Sequence, residues 1–200
     1  MVEIRINGEQ SPVNAGSFRR LADVIELIKS NIDPAHMITV IRMNGNELSE
    51  SDWQCNPFDM PTCILEIETG APGNFVKERI RIAVELVRTV YMEFRDARKR
   101  FQAGSMEDGN RSLICAVNDL KAFLSWYLSL IDLVPEPKKA RYSIQSQIES
   151  LTDICKRICQ QQLYQSWWAL GESLERELEP ELDKLESFFI KMSEDSAAAF

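Results

Sequence analysis

The chain has 200 residues, of which 31 are acidic and 23 basic, giving a formal net charge of −8. That acidity argues against general affinity for nucleic acid or an anionic membrane, and no uninterrupted apolar run approaches the roughly 18–20 residues of a membrane span. The opening MVEIRINGEQ lacks the basic region and apolar core of a secretion signal, so Cys55, Cys63, Cys115, Cys155 and Cys159 are expected as reduced thiols in a cytoplasmic protein.

In chain order, VEIRIN places Val2, Ile4 and Ile6 on one strand face, Asn7-Gly8 supplies a tight turn, and EQSPVN returns as a second strand. Asn-Gly between alternating segments is a strong hairpin signal, because both residues tolerate positive φ. Ser17 is placed to cap a helix running to about Asn31, with Phe18, Leu21, Val24, Ile25 and Ile28 on its apolar face. MITVIRMN predicts a third strand, Asn44-Gly45 a second tight turn and NEL a short fourth strand. After a loop around Trp53 and Pro57, TCILEIET predicts the last strand, with Leu65 and Ile67 on the face opposite Ile64 and Glu66. The glycines and proline of TGAPGNF read as a linker.

Beyond it the period becomes helical. Ile80, Val84, Val87, Tyr91 and Phe94 share one face; Leu113, Val117, Leu120, Leu124, Tyr127 and Ile131 form the next seam. After VPEPKK a third stripe follows from Ile144 to Ile158, and a fourth joins Trp167, Leu170, Leu174, Leu178, Leu182, Leu185 and Phe189. Pro180 predicts a kink or short break. The third and fourth segments are either separated near 163–166 or one long bent helix. Four stripes joined by short turns predict an antiparallel up-down bundle, because each stripe needs a partner; a three-helix arrangement is the alternative. The first of these helices, 76–102, carries eight basic and four acidic residues, and the last is acidic. In an antiparallel bundle these two could face each other, although any single exposed charge is worth little.

The pieces VEIRINGEQSPV, FRRLADVIELIKSNI, ITVIRMNGNEL and CILEIET follow the element order of ubiquitin, and residues 1–70 resemble the β-grasp fold. The expected organisation is therefore α+β: a β-grasp domain over 1–70, a linker over 71–75, a helical bundle over 76–193 and a disordered tail over 194–200. The helical part, from VYMEFRDARKRF onward, is weakly similar to flagellar and secretion chaperone bundles. The whole arrangement resembles a group of uncharacterised bacterial proteins with an ELEPEL-like segment, here 177–182.

That resemblance raises sulfur-carrier or modifier chemistry, which needs a free C-terminal Gly-Gly; ETGAPGNFVKE offers none. No catalytic, cofactor or metal site is expected. The only histidine is His36, Cys155 and Cys159 are four apart rather than in CxxC spacing, and no GxSxG, GxGxxG or phosphate-loop motif occurs. Carboxylates are numerous, but none stands out by an apolar setting. The cysteines read as small hydrophobes of a packing face.

What remains is recognition of another protein, or self-association as a homodimer. The helix RSLICAVNDLKAFLSWYLSLIDLV is apolar beyond one seam, with Ile114, Phe123, Trp126, Leu128 and Leu130 outside it. It is either the central helix of the bundle, the favoured placement, or covered by a partner on a second side. Trp126 and Leu130 are candidate contacts, and Trp168, off the stripe of Trp167, is a candidate anchor. The expected role is a non-enzymatic adaptor, scaffold or chaperone-like protein, without nucleic acid or membrane. The alternative is a small-ligand binder or enzyme with its site at the domain junction.

Overall fold

The computed structural model describes residues 2–13, 20–48, 52 and 63–198. Ser17, Phe18, Trp53, Cys55 and Pro57 therefore lie outside the described residues. The chain divides into two compact units, 1–75 and 76–200.

Among its described residues the first unit is a five-stranded mixed sheet with one α-helix. Its strands are β1 (Val2–Ile6), β2 (Glu9–Gln10), β3 (Met37–Met43), β4 (Asn46–Glu47) and β5 (Cys63–Gly70), ordered β2-β1-β5-β3-β4. β1 and β5 are parallel, and the other neighbours are antiparallel. Asn7 and Gly8 take φ of 52° and 84°, Asn44 and Gly45 take 52° and 82°; the primed turn needs these values and its residues tolerate them. Each asparagine also bonds to β5. The Asn7 Oδ1 accepts from the Thr69 N–H at 2.8 Å and the Asn44 Oδ1 from the Ile64 N–H at 2.9 Å. The two hairpins are thus pinned to opposite ends of the central strand.

Helix α1 spans Leu21–Lys29 after Arg20, which pairs with Asp23 at 2.8 Å. Alternation decides the inner face of the sheet: Ile4, Leu65, Ile67 and Ile41 meet Leu21, Val24, Ile25 and Ile28 of α1 in one buried core.

Of the expected linker only Ala71 lies outside regular structure, because β5 reaches Gly70 and α2 (Pro72–Gln102) begins at the next residue but one. Proline suits a first helical position, where its missing N–H costs nothing. Then follow α3 (Met106–Ile131), short α4 (Glu136–Lys139) with a 3₁₀ turn at Ala140–Tyr142, α5 (Gln145–Leu163), α6 (Trp167–Ser173), a π turn at Leu174–Leu178 and α7 (Glu179–Ala198). Gln165, at φ 55°, separates α5 from α6. Residues 194–198, expected in a tail, belong to α7.

Leu170, Leu174, Leu178, Leu182, Leu185 and Phe189 are all fully buried. Their first three intervals are four residues. In a 3.6-residue helix each such step rotates the side chain by about 40°. Three would carry the stripe about 120° off its partners, and the wider π turn takes up that drift just before Pro180, whose ring cannot continue regular bonding.

Two seams shift by one position from the periodicity. In α2 the buried line runs through Ala83 and Val90 rather than Val84 and Tyr91; in α3 it takes Ala116, Phe123 and Leu130 rather than Val117, Leu124 and Ile131. α3 is apolar on both sides of Leu113, Leu120 and Tyr127, so period alone cannot choose. Aromatic packing chooses: Phe123 and Tyr127 meet Phe189 edge-on at centroid distances of 5.6 and 4.9 Å. The Tyr127 hydroxyl donates to the Tyr142 carbonyl at 2.7 Å, and burial pushes its pKa up.

Gly109 lies beneath Phe101, whose ring stacks on Trp167 at 5.6 Å; a Cβ there would meet the ring at 2.8 Å. Gly109→Ala is expected to destabilise the helical unit, since about 1–3 kcal/mol of overpacking exceeds the gain of about 1 kcal/mol in helix propensity. Urea unfolding followed by circular dichroism measures the sign; a raised midpoint refutes it.

Candidate functional site

The three residues expected at a contact surface are placed differently. Trp168 is 79% exposed on α6. Trp126 is half-buried beside Phe123, at a centroid distance of 5.9 Å. Leu130 is only 4% exposed, inside the core of its own chain. It is therefore not a surface contact, because it lies on the buried side of the shifted seam. α3 turns one seam inward and leaves much of its remaining apolar surface outward. Of its most apolar 18 residues only 28% are buried, and by length and composition alone it is the one described helix long and apolar enough to cross a membrane. Ile114 and Leu128 stand 55% and 50% exposed on its outward face. The longest fully buried line is the stripe of α6, the π turn and α7.

Two depressions flank the seam between α2 and α3. One, of about 690 Å³, reaches Met92, Asp96, Arg111 and Cys115; the other, about 340 Å³, reaches Leu86, Ala122, Phe123 and Trp126. Thr89 and Glu93 line both, so they form one groove. Leu86 and Met92 are exposed apolar side chains along it. At its middle, the Glu93 Oε2 is buried with no hydrogen-bond partner. Its neighbour is the Asp119 carboxylate, a second acceptor, so a hydrogen bond joins them only when the pair holds a proton. Burial, then the nearby Asp119 charge, raises the Glu93 pKa. Both arginines of the groove are committed elsewhere: Arg88 to Glu186 at 2.8 Å and Glu85 at 3.4 Å, Arg111 to Glu107 at 3.4 Å and Asp108 at 3.8 Å. The sequence did not single out this pair, because its setting arises only when two helices meet.

A second polar cluster holds the helices together. Arg98 of α2 is 9% and Glu179 of α7 is 8% exposed. The Arg98 Nε donates to the Glu179 Oε1 at 2.7 Å, and its Nη1 lies 2.9 Å from the Glu175 Oε1. Arg157 of α5 pairs with Glu177, which also accepts from the Ser173 hydroxyl at 3.0 Å. The basic α2 and the acidic C-terminal segment do face each other: Arg88 meets Glu186 while Arg98 meets Glu179, a register that runs in opposite directions.

Two further depressions carry less chemistry. His36 rims a groove of about 550 Å³ with Lys29, Asp33 and Glu47, all within the first unit. Between α3 and α5 another, of about 450 Å³, is lined by Leu120, Leu124, Leu151, Cys155 and Cys159. Cys159 is exposed rather than packed, while burial raises the Cys155 thiol to about 11, away from nucleophilic chemistry. Among the described residues no group of three or more His, Cys, Asp or Glu side chains is placed to hold a metal ion.

Comparison with protein-family models, curated proteins and solved structures finds no match to this chain.

Arg98→Met is expected to cost about 3–5 kcal/mol by stranding Glu179. Adding Glu179→Leu should recover most of that loss, as read from urea midpoints of the single and double variants; additive losses would refute the pairing.

A carboxyl whose pKa is raised on folding binds more protons folded than unfolded. Its contribution to stability is therefore complete below its ordinary value of 4.5 and withdrawn as pH rises through the folded value. Glu93→Gln should accordingly melt above wild type at pH 7.5, with the gap closing toward pH 4. Differential scanning calorimetry at both pH values tests this, and a constant gap rules it out.

Proposed function

We propose that the chain is a non-enzymatic protein-interaction module, an adaptor, scaffold or chaperone-like protein of the cytoplasm. In this reading the first unit is a β-grasp, ubiquitin-like domain and the second an antiparallel up-down helical bundle. The sheet order β2-β1-β5-β3-β4, with its parallel central pair and single helix, supports the first assignment. The opposed register of the α2–α7 ion pairs supports the second. Free thiols at Cys115, Cys155 and Cys159 agree with a reducing compartment.

The observation that carries the proposal is α3. An apolar helix normally goes to the centre of its bundle, yet this one leaves Ile114 and Leu128 in water. Apolar surface of this kind marks recognition sites. The partner is another protein or a second copy of the chain.

Affinity capture from the native cell lysate, with wild type beside an Ile114→Ser/Leu128→Ser variant of unchanged melting temperature, tests this. Wild type should retain a defined partner that the variant holds about tenfold more weakly, the effect of losing ~1.4 kcal/mol of contact. Identical capture by both, or none beyond an unrelated control protein, counts against the proposal.

A further inference from the structure

The geometry points to the α2–α3 groove as a docking site for an amphipathic helix of a partner protein that carries a lysine or arginine at its middle, paired with Glu93 and Asp119. This deepens the interaction reading above and rests on it.

The groove has the dimensions of a short helix. From Ser112 to Trp126 it follows α3 for about 21 Å, or roughly four turns. Apolar side chains mark both ends, Met92 and Cys115 at one and Leu86, Phe123 and Trp126 at the other. An occupant with apolar residues one to two turns either side of its centre matches that spacing.

Charge selects the centre. Two carboxylates from facing helices repel, and among the described residues no cation relieves them, since Arg88 and Arg111 are paired elsewhere. Asp119 is exposed and Glu93 half-buried, so a cation entering from solvent meets the Asp119 oxygens first and the accessible side of Glu93 next. A flexible ammonium or a guanidinium fork bridges two such acceptors, in an apolar surround that strengthens the pairing. An anionic membrane surface is disfavoured by the same charges. An acidic helix would add a third negative charge to the two already opposed.

The probes are three labelled 18-residue amphipathic model helices with identical leucine faces, differing only in Lys, Gln or Glu at the central position. Binding is read by fluorescence anisotropy against wild type, Glu93→Gln/Asp119→Asn, and Glu149→Gln/Asp153→Asn. The last pair removes the same net charge from exposed positions on α5. Wild type should bind the lysine peptide at least tenfold tighter than the glutamate peptide. That preference should vanish in the groove variant and persist in the α5 variant. Equal binding of all peptides, a preference that survives in the groove variant, or one lost equally in both variants overturns the assignment. So does tighter binding to phosphatidylglycerol vesicles, or a concentration-dependent dimer that Glu93→Gln/Asp119→Asn changes, which would place a second copy there. A partner captured through Ile114 and Leu128 without any peptide preference would remove this groove while leaving the interaction reading in place.

Discussion

The helical unit depends on one continuous line of side chains, Leu170 to Phe189, from which water is wholly excluded. α2 reaches that segment through Arg98 and Arg88, α3 through Phe123 and Tyr127, and α5 through Arg157. The π turn is the device that keeps the line straight. Without it, successive four-residue steps would turn Leu182 away from the partners that Leu170 meets. Burial of six large apolar side chains supplies the non-directional drive; the flanking acid–base pairs, set at defined positions, fix which helix lies where.

The two kinds of charge in this unit play opposite parts. Arg98 and Glu179 are nearly sealed from water but satisfied by each other, so their desolvation is offset by short, charge-assisted bonds. Glu93 is less buried, yet it meets only another acid. One pair closes a seam. The other leaves an electrostatic deficit at the surface, beside apolar side chains that are themselves uncovered.

Much of the architecture is legible in the residues. The two Asn-Gly turns, the alternation of Leu65 and Ile67, the single helix and the final leucine stripe all follow from local chemistry and period. The line of α3 was not, because Val117 and Ala116, or Leu124 and Phe123, satisfy the same spacing, and the choice is made by Phe189 far along the chain. Leu130 changed from surface to core for that reason. Glu93 had no distinguishing mark, since a glutamate on a charged helix looks solvated until its neighbour across the seam is known. Arg98 was half legible: basic α2 and acidic α7 suggested a pairing, but burial comes from tertiary packing.

The position of the leucine stripe in the chain also sets the order in which the protein can assemble. The stripe is completed some 60 residues after α3, a delay of about 3–12 s at the usual pace of synthesis of roughly 5–20 residues per second. During that interval α2, α3 and α5 have no Leu170–Phe189 surface to close upon, and the apolar length of α3 faces solvent on every side. The first unit meets no such wait, because its last strand, β5, has already emerged. Ribosome-bound chains are thus biphasic: an early sheet that can close at once, followed by helices that stay open until the final turn of the stripe arrives.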